Sequence, residues 1–207
     1  AITRSRDIIK HSLNAFVVIF VFMAVCRLIV LGSNDVGKTS LVIQMTQCRF
    51  IEDVSFYGSD SYIGSVVDAD KVRKVDLLDS SYCDEYPSAM RPTYIGRSHG
   101  CIIVFDITSR KSFTGAGYDY DEVMRTHDDE NFPIIFVGNK CDLEHEREVE
   151  KEEAQNYANS FGCTYIETSA LARINVDECI LALLRLIPPK AEEEIQKRKR
   201  HAGCCAM

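Results

Sequence analysis

The segment Gly32-Ser33-Asn34-Asp35-Val36-Gly37-Lys38-Thr39 constrains the fold more than any other stretch of the 207-residue chain. It follows Leu28-Ile29-Val30-Leu31, a short branched apolar run that reads as a strand buried on both faces. It opens a stretch, residues 39–48, that carries Leu41, Val42 and Met45 at helical spacing. A glycine-framed turn between strand and helix turns its backbone N–H groups inward around an anion. The helix N-terminus adds partial positive charge and Lys38 a full one. The motif fits the phosphate-loop pattern in full, with the Thr39 hydroxyl placed for a magnesium ion. Gly32, Asn34, Asp35, Val36, Gly37, Lys38, Thr39 and Ser40 are therefore the candidate phosphate-binding residues.

The rest of the chain repeats the strand–helix alternation. Residues 61–78 hold two strand-like runs around a turn at Asp68-Ala69-Asp70, a hairpin pattern. Residues 101–105 (Cys-Ile-Ile-Val-Phe) and 133–137 (Pro-Ile-Ile-Phe-Val) read as buried strands, the second ending at Gly138. Gly115 and Gly117 lie ahead of Val123 and weaken any helix there. Residues 151–161 form a polar helical stretch stopped by Gly162, and Thr164-Tyr165-Ile166 begins a last short strand. Asn175 with Glu178 predicts a capping box for a helix running to Ile187, where Pro188-Pro189 ends it. The pattern predicts an α/β, doubly wound sheet with ligands at the carboxyl ends of its strands.

Hydrophobic residues at 46% and charged residues at 27% describe a chain that buries a core. A net charge of −7 argues against general nucleic-acid binding, which needs a basic face. The basic residues Lys197, Arg198, Lys199 and Arg200 stand out against that acidic body and predict an anionic surface met by the tail. Nine cysteines are scattered mostly singly and without a Cys-x-x-Cys pair, the pattern of reduced, packed thiols. Residues 15–26 form a twelve-residue apolar run behind Arg4, Arg6 and Lys10. That is short of the roughly 20 residues a spanning helix needs.

A phosphate loop does not name a base. Asn139-Lys140-Cys141-Asp142 follows a buried strand, where a base-reading loop should lie. A carboxylate there accepts from both the ring N–H and the exocyclic amine of guanine, while adenine leaves it unpaired. Glu167-Thr168-Ser169-Ala170 follows the final strand and presents backbone donors to the guanine carbonyl. With these three motifs in order, the chain resembles a small GTPase of the Ras family over residues 23–187, and again at its C-terminus.

The resemblance implies a three-layer, mostly parallel six-stranded sheet, the G domain of P-loop NTPases, binding GTP or GDP with Mg2+. It implies that Asp79 holds magnesium through water, that Phe50 packs edge-on to the guanine, and that Asn139, Lys140, Asp142, Ser169 and Ala170 surround the base. Glu85-Tyr86 and Ser88-Ala89-Met90-Arg91 resemble the switch II helix, with Pro87 inserted. Family members begin with Met shortly before the first strand, and Met23 falls in that register. Residues 1–22 are thus expected to be upstream sequence read into the chain or a disordered extension, the alternative being an N-terminal membrane anchor. Residues 23–189 form the G domain and 190–207 a basic tail. Cys204-Cys205-Ala206-Met207 fits the prenylation pattern, with Cys204 the lipidated residue. One lipid and four basic residues together provide the two signals that stable attachment to an inner leaflet needs. The expected location is the cytoplasmic face of the plasma membrane or an endomembrane.

The departures from the family cluster in its moving parts. Asn34 stands where glycine is usual and crowds the γ-phosphate side of the loop. The family's Asp-Thr-Ala-Gly-Gln reads Asp79-Ser80-Ser81-Tyr82-Cys83 here. Cys83 thus takes the place of the water-orienting glutamine, and a thiol cannot both accept from and donate to the attacking water as an amide does. Tyr57 replaces the magnesium-binding threonine of switch I, and Leu171 a lysine that lies against the base. Of the two catalytic candidates, Lys38 is intact and Cys83 degenerate. The expectation is retained nucleotide binding with impaired hydrolysis. The alternatives are a pseudo-GTPase interaction module and a relic gene product. Effector and regulator proteins are not carried over.

Overall fold

The computed structural model describes residues 25–51, 61–68, 71–83 and 91–187, with residues 82 and 83 described by their backbone alone. The switch I segment with Tyr57, the residues from Glu85 to Met90, the N-terminal extension and the basic tail with Cys204 lie outside the described residues.

Leu28 and Val30 face one apolar layer, Ile29 and Leu31 the other, and all four are fully buried. A strand covered on both sides has no polar face to alternate with, so its sequence is a continuous apolar run. This strand is β1 (Val25–Leu31). It pairs in parallel with β3 (Lys71–Asp79) on one side and β4 (Gly100–Asp106) on the other. β5 (Ile134–Asn139) and β6 (Thr164–Glu167) continue the parallel sheet. β2 (Ser61–Asp68) closes the opposite edge, antiparallel to β3, with Asp68 opposite Lys71 as the hairpin pattern predicts. The order β2-β3-β1-β4-β5-β6 is the mostly parallel six-stranded sheet expected of the sequence.

Helices cover both faces. α1 (Lys38–Gln47) and α5 (Val176–Leu186) pack Leu41, Val42, Ile43, Cys179, Ile180 and Leu183 on one side. α3 (Arg110–His127) and α4 (Lys151–Ser160) pack Phe113, Ala116, Val123, Ala154 and Ala158 on the other. A short α2 (Arg91–Ile95) precedes β4. The six described cysteine side chains are free thiols, with Cys26, Cys101 and Cys179 buried. Burial pushes the Cys163 thiol up to about 11 and raises Cys101 and Cys179 as well, so these groups stay protonated and pack as apolar side chains.

Two local expectations are corrected. α3 runs straight through Gly115 and Gly117. Both are places of close approach: a Cβ on Gly115 would come within 2.9 Å of the Ser33 hydroxyl, and one on Gly117 within 2.2 Å of the Tyr157 hydroxyl. The glycines let α3 lie against the phosphate loop and α4, and that packing outweighs their weak helix propensity. The capping box before α5 does not form. Asn175 is left-handed at φ 53° and makes no side-chain cap. A cap needs an extended residue whose side chain folds over the first turn, and here the Asn175 amide donates backward to the Glu167 carbonyl at 2.8 Å. Asp177 and Glu178 supply negative charge to that helix end instead.

Gly32 has φ +146°, and a Cβ there would sit 2.2 Å from the Val104 carbonyl oxygen. Gly162 has φ +68° with open space around it. Gly162→Ala therefore meets backbone strain alone, costing about 1 kcal/mol. Gly32→Ala adds a backbone clash and costs more than about 3 kcal/mol. Urea unfolding of the two variants checks the difference.

Candidate functional site

Apart from Phe50, which lies in the loop after α1, the sequence-derived site residues within the described part lie at the carboxyl ends of strands or in the loops and first helical turn that follow them. The phosphate loop leaves β1 and enters α1 through Gly37. Lys38 folds back over it, its Nζ donating to the carbonyls of Gly32 at 2.7 Å and Ser33 at 2.8 Å. The ammonium is buried and closes the loop into a ring around the N-terminus of α1. That arrangement places a fixed positive charge and a helix dipole at one point, the requirement for holding an anion.

Asn139, at the end of β5, ties this loop to the other two. Its Nδ2 donates to the Val36 carbonyl at 2.9 Å, and its Oδ1 accepts from the Thr168 hydroxyl at 3.1 Å and the Ala170 N–H at 3.3 Å. Asn139 is buried, and Gly37 gives it room, since a Cβ there would come within 2.5 Å of Nδ2. The Cys141 N–H donates to the Thr168 carbonyl at 3.0 Å, joining the loops after β5 and β6 directly. The Ser169 hydroxyl accepts from the Ala172 N–H at 2.9 Å, and the Gln44 amide of α1 donates to the Ala170 carbonyl at 2.7 Å. Lys140, at φ 65°, pairs with Asp106 at 2.6 Å. The Asp142 carboxylate, half-buried beside them, makes no hydrogen bond among the described residues.

Asp79 ends β3 directly across from the loop. Thr39 donates its hydroxyl to Asp79 Oδ2 at 2.5 Å, and Asp79 Oδ1 accepts from the Ser81 N–H at 3.1 Å and the Ser81 hydroxyl at 2.8 Å. Ser81 Oγ also lies 3.3 Å from Thr39 Oγ1. Two hydroxyls and a carboxylate are hard oxygen donors of the kind magnesium prefers. Among the described residues no trio of His, Cys, Asp and Glu is grouped to hold a metal. A single carboxylate with hydroxyls fits an ion that takes its remaining oxygens from phosphate and water.

Gly32, Ser33 and the exposed Asn34 face a pocket of about 290 Å³ completed by Arg91, Gly115 and Asp119. Arg91 pairs there with Asp119 and with Glu122. Burial raises the Asp119 carboxyl, and the Arg91 guanidinium opposes that shift. Phe50 stands 37% exposed in the loop after α1, and Leu171 is exposed beyond β6. Asp35 is exposed at φ 63°, and Ser40 is half-buried in the first turn of α1.

Sequence reasoning missed Asp106, Gln44, the side-chain bond of Thr168 and the contacts of Ser81. Asp106 carried a readable signal, a carboxylate at the carboxyl end of an apolar strand, where such sheets keep their functional groups. Gln44 carried none, because its partner is 126 residues away.

Comparison with known proteins agrees with this geometry. The family model described as Ras family matches residues 27–189. A "Ras-like protein" of Laccaria bicolor is 36% identical over 200 residues, an alignment that takes in 89% of this chain and 95% of the relative. The phosphate loop, the sheet order and both base-side loops thus sit inside one continuous match, and the chain belongs to the Ras family of small GTP-binding proteins.

Proposed function

We propose that this chain binds GTP and GDP together with magnesium, hydrolyses GTP slowly, and acts in signalling from an anionic membrane surface. The observation that carries the first part is the Asn139 network, which holds the phosphate loop and both base-side loops in one arrangement through three hydrogen bonds. A site held in shape beforehand loses less freedom when the ligand arrives.

In this reading Lys38 and the loop amides take the phosphates, with Thr39 and Asp79 on the magnesium side. The bound ion would offset phosphate charge. Asp142 would read guanine, its oxygens accepting from the ring N–H and the amine, while Ser169 and Ala170 face the base carbonyl. The weak hydrolysis follows from residue identity. Cys83 lacks the amide that orients water, Tyr57 extends a ring beyond a threonine's reach, and Asn34 adds bulk on the γ-phosphate side of the loop.

The membrane part rests on the tail. A prenyl group on Cys204 and the cluster Lys197, Arg198, Lys199 and Arg200 supply one lipid and about 1 kcal/mol of attraction per basic residue.

Purified with magnesium and denatured, the chain is expected to release about one equivalent of guanine nucleotide, mostly GTP, on chromatography. An empty site or adenine nucleotide contradicts the reading. Asp142→Asn turns an acceptor into a donor and is expected to weaken GDP binding at least about a hundredfold while admitting xanthosine diphosphate, whose 2-oxo group accepts. Cys204→Ser is expected to move the protein from the membrane to the soluble fraction on cell fractionation, and a membrane-bound variant would place the anchor elsewhere.

A further inference from the structure

Asp79 is gripped from behind. Its Oδ1 accepts from both the backbone N–H and the hydroxyl of Ser81, at 3.1 and 2.8 Å, and this leaves Oδ2 against the Thr39 hydroxyl. The carboxylate is buried, so each of these bonds forms where solvent competes little. A hydroxyl at position 81 is a departure from the family, whose Asp-Thr-Ala-Gly-Gln segment places alanine there and so makes no side-chain bond. The same chain carries Tyr57 in place of the threonine that would complete a magnesium shell. A threonine hydroxyl is thus replaced in the switch I sequence, while Ser81 adds a hydroxyl bonded to Asp79.

We infer that Ser81 is a positioning residue for magnesium: it fixes the Asp79 carboxylate so that Oδ2 and the Thr39 hydroxyl face the ion together. Resting on the guanine-nucleotide reading, it adds a residue which that reading does not need. Groups that orient a metal-binding carboxylate act by removing its freedom to rotate, and losing one costs about 10–100-fold in metal affinity. Ser81 lies 3.3 Å from Thr39 Oγ1, close enough to hold that hydroxyl's partner in place without displacing it.

The test uses the full chain loaded with a fluorescent GDP analogue, with nucleotide release followed while free magnesium is varied. Ser81→Ala is expected to raise the magnesium concentration for half-maximal retention about tenfold, and Ser81→Thr, which keeps the hydroxyl, to restore it. A midpoint unmoved by Ser81→Ala overturns the inference. So does a release rate raised by the same factor in magnesium and in chelator, since that marks a general loosening of the loop. A wild-type chain that retains no guanine nucleotide in either condition overturns the binding reading itself, and with it the inference. That outcome is visible before any variant is compared.

Discussion

The three hydrogen bonds of Asn139 hold the site together. The residue ends β5, and its short amide touches both the phosphate loop at Val36 and the β6 loop at Thr168 and Ala170. Each bond is worth about 1 kcal/mol net, but leaving any of these buried groups unpaired would cost up to about 3. Removing the side chain would therefore loosen the phosphate loop from the β5 and β6 loops, which stay joined to each other through the Cys141 N–H and the Thr168 carbonyl. Gly37 is fixed by the same contact, because nothing larger fits beside the amide. A constraint of this kind explains how loops that carry little regular structure keep a common geometry.

The sheet makes that contact available. Parallel strands β1, β4, β5 and β6 all deliver their carboxyl ends to one edge, so residues far apart in sequence meet there without long connections. The two apolar layers keep the edge rigid, with Phe105 and Phe136 fully buried between sheet and helices. Against this frame the family departures touch the loops and the switch sequences, with Leu171 among them beyond β6. Lys38, Thr39, Asp79, Asn139 and Asp142 are all present on the frame. The altered positions 34, 57, 82 and 83 belong to the phosphate loop's outer turn and the switches. In the reading proposed above, that separation is what would let binding persist where hydrolysis is slow.

The fold was legible because strands buried on both faces leave continuous apolar runs and the phosphate loop has its own spacing. The site was legible where backbone geometry dictates the residue, as at Gly32, Gly37 and Lys38. It was less so where a side chain acts across the fold. Asn139 was read as a base-side residue, yet its contacts within the chain are to other loops. Gly115 and Gly117 read as helix breakers, since propensity is local and the packing of Ser33 and Tyr157 is not. Asn175 read as a cap, since sequence does not show a left-handed backbone. Ser81 reads as one letter of an altered motif, since sequence does not show its hydroxyl on Asp79.

The central claim is that the nucleotide frame is intact while the hydrolytic machinery is not. Single-turnover hydrolysis of pre-bound GTP tests it most directly, with magnesium present and the Cys83→Gln variant measured beside the unaltered chain. The account predicts a slow rate for the unaltered chain and stable retention of the nucleotide throughout. Hydrolysis as fast as in a Ras protein carrying the usual glutamine would contradict it.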